Sequence, residues 1–361
     1  MSVAKRHVMS WGVGRALPGR AGEPAVGAAT VVLENADHLA QLLGSDLVGP
    51  HSVILSPGAP DTGAPDTGVP DSEGAPLVVG YEGSLSEPGG DLSIDDDFFL
   101  QSQDYATSAY MSVIGATLVR ITEETDFEAF LADADRARAE GGFVSFVTDP
   151  AVQLADVSAL GGGPAGDGPG TRLWVGPEGE LSVSPGGSRI GTLGDSFATV
   201  HAAWEHLNST SDQPCPVSLG AVLPEPERAA ALAERPWLGR YLAALNAVRE
   251  LRARGLGEAR VSGFGGRLAP AAETGITRPA DLTDASLPLL LWTDEAAYLH
   301  ASGRTFRINR SAGELAEALL VHGSLDAAAA HADRDALAKV ESSFAAAGVA
   351  LRSGELLGAG K

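Results

Sequence analysis

The alternation of apolar and polar positions is clearest near the end of the chain. There, residues 287–357 predict three short strands followed by three short helices. The strands are Leu289-Leu290-Leu291-Trp292, Ala297-Tyr298-Leu299-His300 and Thr305-Phe306-Arg307-Ile308-Asn309-Arg310, with Ser302-Gly303 turning between the last two. Helices are expected at 311–322, 324–331 and 334–348. Ser311 and Glu314 form a capping box for the first. Gly323 stops it, and Ser324 caps the second with Asp326 in its first turn. Asp333 caps the third, where Leu337, Val340, Phe344 and Ala347 make an apolar stripe. This order leaves an open-edged strand beside an amphipathic helix, a ready site for an extended peptide to add as a further strand.

Upstream, the pattern predicts strands at 29–33, 52–55, 77–81, 112–122 and 143–147, and helices at 36–43, 126–140 and 151–160. A meander is expected from Leu173-Trp174-Val175, Leu181-Ser182-Val183 and Arg189-Ile190-Gly191. Helices at 196–207, 225–233 and 237–254 follow, then a short strand at 259–261. A near-exact repeat of Gly, Pro and Asp fills a loop at 57–75, which can neither bury a core nor hold a ladder. The expected organisation is α+β. A mixed α/β region spans 1–265, a Gly/Pro/Thr-rich connector 266–286, and a small three-strand, three-helix domain 287–357.

Composition narrows the function classes. The chain has 361 residues, a formal net charge of -22, a pI near 4.6 and 44% hydrophobic residues, room for two or three domains with real cores. Such acidity argues against nucleic acid and against an anionic membrane surface, and fits a partner that is neutral or locally basic. A single cysteine, Cys215, reads as a small buried hydrophobe. The basic N-terminus has no apolar h-region and no run reaches transmembrane length, so a cytoplasmic location is expected.

Candidate chemistry is sparse. The only lysines are Lys5, Lys339 and Lys361, which leaves no P-loop and no plausible Schiff base. Gly161-Gly162-Gly163-Pro164-Ala165-Gly166 matches the spacing of a dinucleotide loop, but Asp167-Gly168-Pro169-Gly170 follows where a helix must begin. His201, Glu205 and His206 share one expected helix, with the histidines five apart rather than the four that a zinc helix needs. Asp95-Asp96-Asp97 reads as a solvated turn. No catalytic, metal or cofactor residue is assigned.

The stretch from Tyr298 to Ala312, with Leu299, Gly303, Ile308-Asn309 and Ser311-Ala312, resembles the core of the PqqD-like RiPP recognition element, as do Glu314-Leu315 and Gly323-Ser324-Leu325-Asp326. The resemblance covers about the last fifth of the chain. It implies a winged helix-turn-helix that binds the leader of a ribosomally made natural-product precursor as an added strand. The implied contacts are Thr305, Phe306, Arg307, Ile308, Asn309 and Arg310 on the third strand, and Ala336, Lys339, Val340, Ser343 and Phe344 on the third helix. Strand alternation turns Phe306 and Ile308 toward a core and Arg307 and Asn309 away from it. Residues 98–105 and 132–138 are similar to the daptide biosynthesis RiPP recognition proteins. This likeness implies a non-catalytic partner of an alcohol-dehydrogenase-like oxidoreductase acting on a precursor's C-terminal Thr. Two alternatives stand beside this adaptor reading. One is an enzyme with a site in 1–265; the other is a winged-helix transcription regulator, disfavoured because 311–320 carries two glutamates and no Lys or Arg.

Overall fold

The computed structural model describes residues 3–16, 27–58, 75–87, 89–95, 97–163, 167–256, 258–270, 279–301 and 303–352. Residues 59–74 of the expected repeat loop, Asp96, 164–166 of the glycine motif, 271–278 of the expected connector, Ser302 and 353–361 lie outside them. The chain forms two compact units, Met1–Phe130 with Ala151–Glu234 and Leu131–Pro150 with Arg235–Lys361, and is mixed α/β. The expected connector falls inside the second.

Unit 1 begins with helix α1 (Val3–Val13), then β1 (Ala28–Leu33), α2 (Leu39–Leu43), β2 (Val48–Pro57), β3 (Leu77–Gly83), β4 (Asp91–Ile94), β5 (Phe98–Asp104), α3 (Tyr105–Ser108) and β6 (Ala116–Arg120). Helix α4 (Glu124–Glu140) has its first half in unit 1 and its second in unit 2. Then follow β7 (Val152–Leu154), β8 (Arg172–Val175), β9 (Glu180–Ser182), β10 (Gly191–Thr192), α5 (Phe197–Ser209) and α6 (Glu225–Glu234). The strands make one sheet, ordered β10-β9-β8-β1-β2-β3-β4-β5-β6-β7. Strands β8, β1, β2 and β3 run parallel, β4 is reversed, and β5, β6 and β7 are parallel again. The expected meander is present, with β8 joined to β1 and β9 and β10 extending outward.

This sheet is not flat. Seven inter-strand steps separate β8 from β7, which at about 4.8 Å each would hold them roughly 34 Å apart in a plane. Yet Arg172, which opens β8, places its Nη2 2.6 Å from the carboxylate of Asp156, two residues past β7. The sheet therefore curls, and α1 sits in the curl. Val8 and Trp11 pack against Val32, Leu55, Val79, Leu100 and Leu118, gathered from strands right across the sheet. The opposite face of β1 and β2 supplies Val31, Leu33 and Ile54 to a second cluster, so these strands are buried on both faces, as their unbroken apolar runs require.

A buried charge cluster closes the seam. Arg172 donates to Asp167 at 2.8 Å, to Asp156 at 2.6 Å and to the Trp11 carbonyl at the end of α1 at 2.8 Å. A cation at a helix C-terminus is favoured by the dipole there, and it adds a second donor to a carbonyl that also accepts from the Gly14 amide at 3.2 Å. Ser218 donates to the other oxygen of Asp167. Burial pushes the Asp156 carboxyl up, and Arg172 beside it holds it back.

Two expected elements are corrected. Residues 151–160 are not a helix but β7 and a short π turn at Ser158–Gly162. Asp156 between them sits in the left-handed region at φ 51°, which interrupts any helix. Residues 143–147 are not a strand. Phe146–Thr148 make one 3-10 turn, and Phe143 stacks on Tyr241 at 5.9 Å instead of pairing. Five residues are too few to show a period by which to choose. The strand expected at 112–122 shortens to β6, leaving Ile114 exposed.

Unit 2 adds to the second half of α4 the helix α7 (Leu238–Ala253), β11 (Arg260–Val261), α8 (Ala280–Thr283), β12 (Leu289–Trp292), β13 (Ala297–Ala301), β14 (Arg304–Ile308), α9 (Arg310–His322), α10 (Leu325–Ala328) and α11 (Arg334–Ala346). The four strands form an antiparallel sheet ordered β11-β12-β13-β14. The three expected strands thus gain β11, which reaches them from before the expected connector. On one face Leu290, Leu299, Leu319, Leu337 and Phe344 build the core with α9 and α11. On the other, α7 packs on β12, with Leu291 and Tyr298 buried.

The expected caps hold at three places. Gly323 ends α9 at φ 67°, Ser324 caps α10 and Asp333 caps α11. The cap of α9 differs: Asn309, not Ser311, accepts from the Ala312 amide at 2.8 Å. Glu317 on α9 is fully buried, accepting from the amides of Leu268 and Ala269 at 3.0 and 2.7 Å, and burial pushes its carboxyl up. Among the described residues no helix is long and apolar enough to cross a membrane.

Candidate functional site

Strand β14 ends its sheet, and among the described residues no strand pairs with its outer side. Which backbone groups point outward follows from the hairpin. Ala301 and Arg304 close a two-residue loop, so they form a hydrogen-bonded pair, as do Leu299–Phe306 and Ala297–Ile308 two and four steps on. The intervening Thr305 and Arg307 then direct their N–H and C=O groups away from β13. The edge therefore offers two donors and two acceptors at alternate residues, the spacing that an added strand uses.

The side chains divide by face. Phe306 and Ile308 turn into the core, and Phe306 meets Phe344 of α11 edge-on with centroids 6.1 Å apart. Arg304 lies over the Phe306 ring at 5.2 Å and donates to the Ala347 carbonyl at 2.8 Å, which ties the start of β14 to the end of α11. On the α7 side, Thr305 donates to Glu250 at 3.3 Å and lies 3.1 Å from His300 Nδ1. Arg254 holds the same Glu250 oxygen at 3.2 Å. Burial lowers the His300 imidazole below its ordinary value, so near neutral pH the ring meets Glu250 as a neutral group.

The eleven residues expected to contact a peptide are placed as follows. Thr305, Phe306, Arg307 and Ile308 are on the edge strand. Asn309 is the α9 cap and Arg310 is the first residue of α9, so the expected strand stops two residues early. On α11, Phe344 is buried, Ala336 and Val340 are half-buried, and Lys339 and Ser343 are exposed. Arg307 and Lys339 have no acidic partner among the described residues. Sequence reasoning missed Arg304 and Glu250. A strand boundary drawn one residue late hid the first, and no local signal joins Glu250 to a strand 55 residues later.

The places where other chemistry was sought are also clear. His201 Nδ1 is 3.7 Å from Glu205 on an exposed side of α5, beside the Trp204 ring. Among the described residues no group of three or more His, Cys, Asp and Glu could hold a metal. Cys215 is buried, with its thiol pushed up to about 12 by that burial. A cleft of about 660 Å³ in unit 2, lined by Phe143, Arg260, Phe264 and Trp292 among others, lies at β11, the sheet edge opposite β14. No protein-family model, curated protein or solved structure matches this chain.

Proposed function

We propose that the chain is a leader-peptide-binding adaptor of ribosomal peptide natural-product biosynthesis, with a PqqD-like winged-helix domain in residues 287–357. The observation that carries this reading is the unpaired edge of β14, with the outward amides of Thr305 and Arg307, set beside α11 through Phe306 and Phe344. The leader adds as a fifth strand and the precursor's far end is presented to a partner oxidoreductase. Tethering of this kind raises the effective concentration at the partner to around millimolar without any contact at the reacting atom. Catalysis belongs to the partner.

Titration of a fluorescein-labelled cognate leader with the full chain, read by anisotropy, tests the reading. Saturable binding with hydrogen-exchange protection confined to β14 is expected. Absence of binding, or protection elsewhere with β14 unchanged, overturns it.

A further inference from the structure

The charge of the whole chain and the charge of the edge have opposite signs. Residues 303–313 contain Arg304, Arg307 and Arg310 and no acidic residue, in a chain of net charge -22. Arg307 is exposed and has no acidic partner among the described residues. Arg310 is exposed, and among the described residues its one acidic partner is the half-buried Glu314 at 3.5 Å. Lys339 on α11 is likewise exposed and without an acidic partner. The acidic group that does reach this strand, Glu250, is already answered by Arg254 at 3.2 Å and by the Thr305 hydroxyl. Charges further than about 8 Å are screened at physiological ionic strength, so the local arginines and not the distant acids set the field that an added strand meets.

Resting on the peptide-binding reading above, we infer that the occupant of the β14 edge is an acidic extended segment. It places a carboxylate opposite Arg307 on the α7 face and another beside Arg310 where the strand ends. Opposite charges directly across a strand pair attract and like charges repel, so the same contacts exclude basic segments. The edge thus takes its affinity from backbone pairing at Thr305 and Arg307 and its selectivity from the arginines that flank it.

The test is a selection of random phage-displayed dodecapeptides on the full-length chain and on the Arg307→Glu/Arg310→Glu variant. Both positions are exposed, and the fold of the variant is checked by circular dichroism. Peptides enriched on the native chain are expected to carry Asp or Glu two to three residues apart. The variant is expected to lose that enrichment and favour Lys or Arg. Individual acidic peptides should bind the variant up to about fivefold more weakly per lost contact, with the difference shrinking as salt is added. Enriched peptides without acidic bias, or the same bias on the variant, overturn this inference and leave peptide binding standing. A selection that enriches no peptide overturns both.

Discussion

Replacing Arg172 with Met removes one guanidinium from the seam of the unit 1 sheet and leaves a chain of similar length in its place. Asp167 and Asp156 lose partners at 2.8 and 2.6 Å, and the Trp11 carbonyl loses a donor at 2.8 Å. The Arg172 side chain is 1% exposed and the two carboxylates 0% and 8%, so water cannot take its place. Removing one partner of a buried ion pair costs about 3–5 kcal/mol. The Trp11 carbonyl keeps the Gly14 amide at 3.2 Å, and the one hydrogen bond it loses adds about 0.5–1.5 kcal/mol. Against a domain stability of about 5–15 kcal/mol, unit 1 of the variant stands near its unfolding threshold. Urea unfolding, with hydrogen exchange read on α1 and β8 to separate unit 1 from unit 2, measures the loss. Two controls bracket it. Arg260→Met, which removes the exposed 3.8 Å contact with Asp294, leaves the midpoint where it was. Adding Asp156→Asn and Asp167→Asn to the Arg172 variant restores most of the loss, because neutral amides need no buried counter-charge. A loss below about 1 kcal/mol, or no recovery in the triple variant, refutes the argument that this cluster holds the curled sheet closed.

Four further outcomes are expected. Arg307→Pro removes one outward donor while leaving the β13 ladder intact; it should bind leader about 2–12-fold more weakly than Arg307→Ala, the equivalent of one hydrogen bond of about 0.5–1.5 kcal/mol, and equal affinities would place the peptide elsewhere. Asn309→Ala removes the cap of α9 and should lower the stability of unit 2 by about 1 kcal/mol, whereas Ser311→Ala, which caps nothing, should be neutral by the same urea assay. Phe344→Ala empties a core position against Phe306 and should cost about 3–5 kcal/mol in chemical unfolding. Burial lowers both His300 and His322 below their ordinary 6.5. Their contribution is therefore complete above about 6.5 and is lost as pH falls, because the unfolded chain takes up protons that the folded chain resists. A His300→Gln/His322→Gln variant should flatten this part of the stability–pH curve, and an unchanged slope would count against the argument.

Much of unit 2 was legible because its signals are local. A cap lies three residues from the amide it serves, as at Ser324 and Asp333, and an apolar stripe repeats within one helix, as on α11. Where two local signals competed, the sequence could not arbitrate. Both Asn309 and Ser311 are good caps, and the end of β14 decided for Asn309, since the residue leaving a strand already has the extended backbone a cap needs. The candidate edge was readable as far as strand order. Its direction was not, because the outward amides of Thr305 and Arg307 depend on the register with β13. Glu250 shows the same limit: nothing within helix α7 announces that one of its carboxylates will hold a threonine on another element.

Unit 1 was read less well for a related reason. Its short segments at 143–147 and 151–160 carry no period clear enough to separate strand from helix. Helix α1, in a stretch whose start reads as basic and without an apolar h-region, is recognisable as a core element only once the sheet wraps round it. By itself the sequence determined the caps, the amphipathic helices, the alternating strands of the small sheet and the net acidity, all properties of neighbours in the chain. Tertiary structure alone decided the order of the strands in the unit 1 sheet, the curl that brings Arg172 to Asp156, and which amides of β14 face outward. Those depend on contacts between residues far apart in sequence, where the free energy of burying charge and apolar surface, and not local backbone preference, selects the arrangement.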